Sequence, residues 1–248
     1  MKVLILGAAG FVGSNLTNKF LNYGHDVVAL DGLLDQTGGS IKNLHDVIDH
    51  VDFIDKRIED VKNLPLLIRS VDIVIDCMGW TLHYEAILDP LYDFELNVKS
   101  HLVLLQAVAD NPSQKFIYLG SRVQYGNPKN GVITEETSMK PEDIQAIHKI
   151  TGDYYYSFFS KLKNMDTVSL RFPNCYGKNQ PIFREETGLI SSFIIEALKD
   201  KEIIIYGNGR KRNIIFVDDL AEIIVRISKK DFKRFNVFNV SGNSILIH

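Results

Sequence analysis

An α/β fold built on a doubly wound parallel sheet is predicted by two patterns in the chain. Short apolar runs, such as Val3-Leu4-Ile5-Leu6, alternate with longer stretches whose apolar residues recur at helical spacing. Strands covered on both faces read as continuous apolar runs, and strands alternating with helices give a parallel sheet. After about residue 172 the alternation loosens. The expected organisation is therefore a main domain over 1–172, with returns from the C-terminal part, and a small C-terminal lobe over 173–248. At 248 residues the chain is long enough for one large domain with an appendage.

Taken in order, strands are predicted at 2–6, 26–30, 51–54, 72–76, 115–119 and 167–171, and helices at 11–23, 60–69, 91–110 and 142–163. The first strand runs into Gly7-Ala8-Ala9-Gly10-Phe11-Val12-Gly13. Gly7 allows a tight turn, Gly10 lets a pyrophosphate approach the backbone, and Gly13 lets the following helix pack close to the strand. Phe11 and Val12 open that helix, whose free N–H groups and positive dipole end face the phosphates. Phe11, Leu16, Phe20 and Leu21 give it an apolar side. The second strand ends in Asp31, 18 residues past Gly13, where a ribose 2′-hydroxyl needs an acceptor. This is a Rossmann-type dinucleotide site, with ligands expected beyond the carboxyl ends of the strands. Asp31 repels a 2′-phosphate and Gly32, Leu33 and Leu34 offer no arginine, so the expected cofactor is NAD rather than NADP.

The helix at 142–163 contains Tyr154-Tyr155-Tyr156 and Phe158-Phe159, which point all round it. Its many polar residues argue against complete burial, so some of these aromatics are expected at a homodimer interface. In the lobe, a loop over 173–188 is followed by a helix at 189–199, a strand at 203–206 and a helix at 218–229.

Composition narrows the function classes. With 28 basic and 31 acidic residues the net charge is −3, and the clusters Arg210-Lys211-Arg212 and Lys229-Lys230 are short. No nucleic-acid partner and no membrane partner are expected. Cys77 and Cys175 stand in separate apolar strand contexts and read as buried free thiols in a reducing compartment. No apolar run reaches spanning length, and the first strand begins at once, so neither a membrane span nor a signal peptide fits. A cytoplasmic location is expected, and no metal site.

The chain resembles the extended short-chain dehydrogenase/reductases, in the NAD-dependent nucleotide-sugar epimerase/dehydratase family. The resemblance rests on the glycine turn with Asp31, on Asp89-Pro90 followed by Asn97-Val98, on Gly120-Ser121-Arg122-Val123-Gln124-Tyr125-Gly126 and on Lys149. It continues through Arg171-Phe172-Pro173-Asn174-Cys175-Tyr176-Gly177, Tyr206-Gly207-Asn208-Gly209, Arg212 and Val217-Asp218-Asp219. It implies a nucleotide-sugar substrate carrying UDP, GDP or dTDP. It also implies transient oxidation by NAD, with a tyrosinate taking the hydroxyl proton. The active-site hydroxyl falls on Ser121. The lysine that holds the nicotinamide ribose and lowers the tyrosine pKa falls on Lys149, in accord with the effect of an ammonium on a phenol. Asn174 falls where the family contacts the substrate diphosphate or sugar, Arg212 on its diphosphate arginine, and Tyr125 on a tyrosine that packs near the sugar.

The tyrosine position itself holds Gln145. An amide is no Brønsted base at neutral pH, although it can hydrogen-bond a sugar oxygen. Three surrogates are open: His148, although neighbouring helix residues diverge by about 100°; Tyr125; and His83 or Tyr84 in the loop after the fourth strand. Other departures are Arg122 and Val123, where dehydratases carry acids, and Arg57, where the family has an aspartate at the adenine. Arg57 is expected to stack on the adenine, or Asp55 to replace it. Gly79 is expected to keep the backbone close to the cofactor, with Trp80 adding bulk. The family continues beyond the position of His248, so the substrate lobe is expected to be small or shortened, with an open pocket. Two readings follow: an NAD-dependent nucleotide-sugar epimerase using Ser121, Lys149 and Gln145, or a non-catalytic NAD-binding sensor or partner subunit on the same fold.

Overall fold

In a computed structural model that describes residues 1–128, 132–182, 188–205 and 210–247, β1 (Lys2–Leu6) is buried along Val3, Leu4, Ile5 and Leu6 because it runs between two parallel neighbours. Those neighbours are β2 (Asp26–Asp31) and, across the sheet, β4 (Ile73–Asp76). Outside them lie β3 (Asp52–Asp55) on one side, and β5 (Lys115–Ser121) and β6 (Asp166–Phe172) on the other. After β7 (Asn174–Tyr176) and β8 (Arg210–Phe216), β9 (Phe235–Asn239) returns to the same sheet as a seventh strand, giving the order β3-β2-β1-β4-β5-β6-β9. Every pairing in it is parallel. The order reverses direction between β1 and β4, which opens a crevice at their carboxyl ends. β10 (Asn243–Ile247) pairs antiparallel with β8, and β8 pairs parallel with β7, to form a separate three-stranded sheet.

Helices cover both faces of the main sheet. On one face α1 (Phe11–Asn22) contributes Leu16 and Phe20 to a core that also takes Leu220 and Ile224 from α8 (Val217–Ser228). On the other face lie Leu64 and Ile68 of α2 (Leu64–Arg69), Leu104 and Leu105 of α5 (Ser100–Ala107), and Tyr156 of α6 (Ile144–Lys163). Each such side chain contributes roughly 1.5–3 kcal/mol on burial.

Several expected elements are recast. The helix expected at 60–69 starts only at Leu64, with Pro65 in its first turn, where a missing N–H costs nothing. The helix expected at 91–110 divides into α4 (Pro90–Phe94), capped by the Asp89 side chain, a π-turn over Glu95–Lys99, and α5. A further helix, α3 (His83–Leu88), occupies the loop after β4. Residues 203–205 form no strand: Ile203, Ile204 and Ile205 are exposed without a pairing neighbour, and residue 206 lies outside the described residues, as do Gly207, Asn208 and Gly209. α7 (Leu189–Leu198) lies before them. The aromatic run is split by helix geometry. Tyr156 is fully buried, whereas Tyr154, Phe158 and Leu162, at four-residue spacing, are exposed.

Candidate functional site

A cavity of about 920 Å³ lies beyond the carboxyl ends of the central strands, with Gly10, Asp31, Gly79, Ser121, Lys149 and Asn174 among its walls. Its dinucleotide end is shaped by the glycine turn. Gly7 has φ +72°, and a Cβ on Gly13 would sit 2.0 Å from the Gly7 carbonyl oxygen, so α1 rests directly on β1. A Cβ on Gly10 would meet only that same oxygen, at 3.2 Å, leaving the approach to the N-terminus of α1 open. Phe11, Val12 and Gly13 also face the cavity.

Asp31 stands at the end of β2. Its Oδ2 accepts the Ala9 N–H at 2.9 Å and its Oδ1 accepts the Leu33 N–H at 2.8 Å, so it ties the glycine turn to the second strand. Burial pushes its pKa up, and the two backbone N–H groups oppose that rise. Each carboxylate oxygen keeps a lone pair for a ligand hydroxyl. Beside it, a Cβ on Gly32 would touch Arg57 Cγ at 3.0 Å. Arg57 lines the same end of the cavity and is held by Glu59 at 3.3 Å and Glu95 at 3.8 Å. Asp55 is exposed and is not among the walls.

The centre of the cavity is built by β4, β5 and α6. Lys149 is 7% exposed, with Nζ 3.5 Å from the Leu119 carbonyl and 5.5 Å from the centre of the Tyr118 ring. Gly79 has φ +153°, and a Cβ there would stand 2.7 Å from Asn97 Oδ1 and 3.0 Å from that Nζ, so the position needs a glycine. Burial lowers the Lys149 pKa, opposed by the carboxylates of Asp76, Asp93 and Asp153. Ser121 ends β5 and caps the short turn Arg122–Tyr125. Its Oγ accepts the Val123 N–H at 3.3 Å, which leaves its own proton for a ligand oxygen.

Gln145 faces this centre, and its Nε2 donates to the Trp80 carbonyl at 2.9 Å. Asn97, inside the π-turn, clamps the same residue: its Nδ2 donates to the Trp80 carbonyl at 2.9 Å and its Oδ1 accepts the Trp80 N–H at 3.1 Å. π-turns recur at functional sites because they re-aim a side chain out of helical register. One N–H of the Gln145 amide is thus spent on holding the loop after β4, and the amide has no basic atom to take a proton at neutral pH.

The surrogates separate cleanly. His148 lies off the cavity walls, with Nδ1 bonded to Oδ1 of the buried Asp93. Tyr84 is exposed and is not a wall. His83 is a wall, and its Nδ1 lies 2.8 Å from Asp143 Oδ2. Tyr125, expected near the sugar, is instead 1% exposed and turned behind β5. Its hydroxyl accepts from Arg171 Nη1 at 2.6 Å and donates to Asn239 Oδ1 at 2.8 Å. Arg171 in turn donates from Nε to Asp153 Oδ2 at 2.8 Å, so Tyr125 belongs to a buried polar network linking β6, β9 and α6.

On the lobe side, Asn174 and Arg212 line the cavity together with Arg122, whose Nε donates to Asn174 Oδ1 at 3.2 Å. Burial, and after it the charge of Arg212, lowers the Arg122 pKa. Among the described residues neither guanidinium has a carboxylate partner. Two mutually repelling cations facing a cavity form an electrostatic setting for a polyanion.

One structural cluster escaped the sequence reading. Asp76 at the end of β4 accepts from Tyr156 at 2.6 Å and from the Met78 N–H at 3.0 Å, and lies 2.6 Å from His101 Nδ1. Burial pushes Asp76 up, but these three partners hold it below the usual carboxylate range. The cluster anchors the strand end that carries Gly79 and Trp80. The only sequence signal was an acid closing an apolar strand. Among the described residues no cluster suited to a metal ion occurs.

The chain matches the model of the NAD dependent epimerase/dehydratase family over residues 3–241. It is 30% identical over 244 residues to the UDP-glucose 4-epimerase of Mycolicibacterium smegmatis, covering 96% of this chain and 77% of that protein. Among solved structures, it superposes with a TM-score of 0.90 and 25% identity on a UDP-N-acetylglucosamine 4-epimerase from Methanobrevibacter ruminantium in complex with UDP-N-acetylmuramic acid, covering 99% of this chain and 78% of that one. A UDP-glucuronic acid 4-epimerase from Bacillus cereus, in complex with UDP-glucuronic acid and NAD, gives a TM-score of 0.85 and 25% identity over 100% of this chain and 80% of that one. The glycine turn, Asp31 and Lys149 accord with these likenesses, and the chain belongs to the NAD dependent epimerase/dehydratase family.

Proposed function

We propose that the chain is an NAD-dependent epimerase that inverts C4 of a UDP-hexose by transient oxidation. The observation that carries this reading is one continuous cavity with three chemically distinct zones: the open glycine turn and Asp31, the buried Lys149 with Ser121, and Arg122 with Arg212, which have no carboxylate partner among the described residues. NAD bound in the first zone supplies a reversible hydride acceptor. The residues fit it: Gly10 leaves the pyrophosphate path clear, and Asp31 has lone pairs to spare for a ribose.

Each residue then has a role set by its chemistry. Lys149 donates to ribose hydroxyls and places a positive charge beside the reacting carbon. Ser121 holds the reacting sugar oxygen. Arg212, with Arg122 and Asn174, grips the diphosphate. Gln145 keeps Trp80 and Gly79 in place and turns its carbonyl oxygen toward the sugar. Arg57 stacks at the adenine. The C4 preference and the uridine nucleotide are supported by the likeness to UDP-sugar 4-epimerases. The non-catalytic reading rests on Gln145 alone, and the Gln145–Trp80 bond gives that residue a place within an active site.

The exposed Tyr154, Phe158 and Leu162 stripe on α6 supports a homodimer. Among the described residues no helix is long and apolar enough to cross a membrane, and the two half-buried free thiols accord with a cytoplasmic location. The test is incubation of purified protein and NAD with UDP-, GDP- and dTDP-hexoses, followed by separation of the sugar nucleotides. A new C4 epimer from a UDP-hexose is expected. Absence of any conversion across the panel contradicts the reading.

A further inference from the structure

We infer that His83, oriented by Asp143, is the proton-transfer residue of this active site, in place of the tyrosine that Gln145 displaces. The inference rests on the epimerase reading above.

Two bonds tie the loop after β4 to the start of α6, and together they build the arrangement. Trp80 is bonded to Gln145, and three residues further on His83 is bonded to Asp143, two residues before Gln145. His83 and Gln145 both line the cavity, and the two bonds join the segment that carries His83 to the first turn of α6. The imidazole's partner is itself held by the helix. Asp143 is the N-cap of α6, and its Oδ1 accepts the Ala146 N–H at 2.7 Å while Oδ2 meets His83 Nδ1 at 2.8 Å. A carboxylate has no proton to give, so Nδ1 donates and Nε2 is left as the lone-pair acceptor. Among the described residues Nε2 has no protein partner. An acid fixing the tautomer of a histidine whose second nitrogen is free is the arrangement that prepares an imidazole as a general base.

Other titratable groups on the cavity wall make contacts of their own or, as thiols, are pushed up by burial. Glu142 accepts from Asn127 Nδ2 at 2.7 Å, and Tyr176 packs against Phe216 across the cavity on β7. Burial pushes the Cys175 thiol up to about 12 and Cys77 well above its usual value. Of the surrogates open from sequence, His83 alone faces the cavity with an unspent basic atom.

The step balances. The sugar O–H bond breaks and an N–H bond forms at His83 Nε2. The electron pair of the carbinol C–H bond leaves as hydride to the oxidised dinucleotide, and the carbinol becomes a ketone. On reversal, the hydride returns to the opposite face of the carbon and the proton returns to the oxygen. Asp143 is the positioning residue, holding the tautomer and stabilising the imidazolium.

The test uses NAD-loaded wild type, His83→Gln, Asp143→Asn and the double variant His83→Gln/Gln145→Tyr. Turnover, nucleotide-sugar binding by calorimetry, and the ¹⁵N resonances of His83 are measured. His83→Gln is expected to lose about 10²–10⁴-fold in kcat while binding the nucleotide sugar as wild type does. Asparagine is a good N-cap, so Asp143→Asn keeps α6 but places the proton on Nε2. Its kcat is expected to fall comparably, and its Nε2 resonance to change from acceptor to N–H type. In wild type, Nε2 is expected to be unprotonated in the neutral ring and to shift when nucleotide sugar binds. Partial return of turnover in the double variant shows that His83→Gln removed a base rather than the cleft. Wild-type turnover in His83→Gln overturns the inference alone, as does a wild-type Nε2 that carries the proton and ignores the nucleotide sugar. An inactive wild type overturns the epimerase reading, and the inference falls with it.

Discussion

Gly13 and Gly7 are in backbone contact: a Cβ at Gly13 would stand 2.0 Å from the Gly7 carbonyl oxygen, whereas a Cβ at Gly10 would reach that oxygen only at 3.2 Å. The two glycines of one motif therefore answer to different demands, Gly13 to the fold and Gly10 to the ligand. Gly13→Ala is expected to cost at least about 2 kcal/mol through overpacking. Gly10→Ala is expected to change stability by less than about 1 kcal/mol while weakening NAD binding about tenfold or more, close to the 1.4 kcal/mol that a factor of ten represents. Urea denaturation and NAD calorimetry on the two variants separate these effects.

Tyr125 belongs to the fold rather than to the substrate. Tyr125→Phe removes the hydroxyl between Arg171 and Asn239 and leaves Arg171 Nη1 and Asn239 Oδ1 without that partner. The expected cost is about 1–3 kcal/mol in unfolding free energy, with KM for the nucleotide sugar unchanged. A raised KM at unchanged stability returns Tyr125 to the substrate.

Most of the main sheet was legible because its strands are buried on both faces, which forces uninterrupted apolar runs such as Val3–Leu6. β8 and β9 carry Arg212, Asn213 and Asn236 among their apolar residues, and β7 has only three residues, so none of them stood out. The glycine turn and Asp31 were legible because their chemistry depends on short-range spacing. Tyr125 was misplaced because spacing along a loop does not say which way a side chain turns. Gln145 was visible as a departure, but its bond to Trp80 spans 65 residues of sequence, and the His83–Asp143 pair spans 60. Only the sheet topology brings such partners together.

Among the described residues Arg122 and Arg212 have no carboxylate partner, so their contribution appears when an anion arrives. Arg212→Ala is expected to raise KM about 10- to 100-fold, in line with roughly 1.5–3 kcal/mol for a charge-assisted hydrogen bond, with kcat little changed. Arg122→Ala is expected to act in the same direction and also to release Asn174, its hydrogen-bond partner. Steady-state kinetics over a salt series checks this, because wild-type KM should rise with ionic strength and that of the double variant should not.

Cys175 is pushed up to about 12 by burial, and burial raises Cys77 with the Asp76 charge adding to it. A raised thiol pKa means less thiolate at a given pH, and the thiolate fraction grows about tenfold per pH unit below that pKa. Alkylation of Cys175 in the folded protein at pH 8 is expected to be roughly a thousandfold slower than that of an exposed cysteine, and about ten times faster at pH 9 than at pH 8. Both thiols line the cavity, so NAD is expected to slow their labelling further. Timed labelling read by mass spectrometry measures each site.

The proposed reaction is reversible oxidation at one carbon, in a cavity where Gln145 stands at the position expected for the family's tyrosine. The most direct measurement is proton and deuterium NMR of a UDP-hexose labelled with deuterium at C4, incubated with the NAD-loaded protein. The expected product is the C4 epimer with deuterium retained at C4, because the transferred hydride returns to the carbon it left. No epimer, or an epimer that has exchanged its C4 label with water, would contradict the proposed reaction.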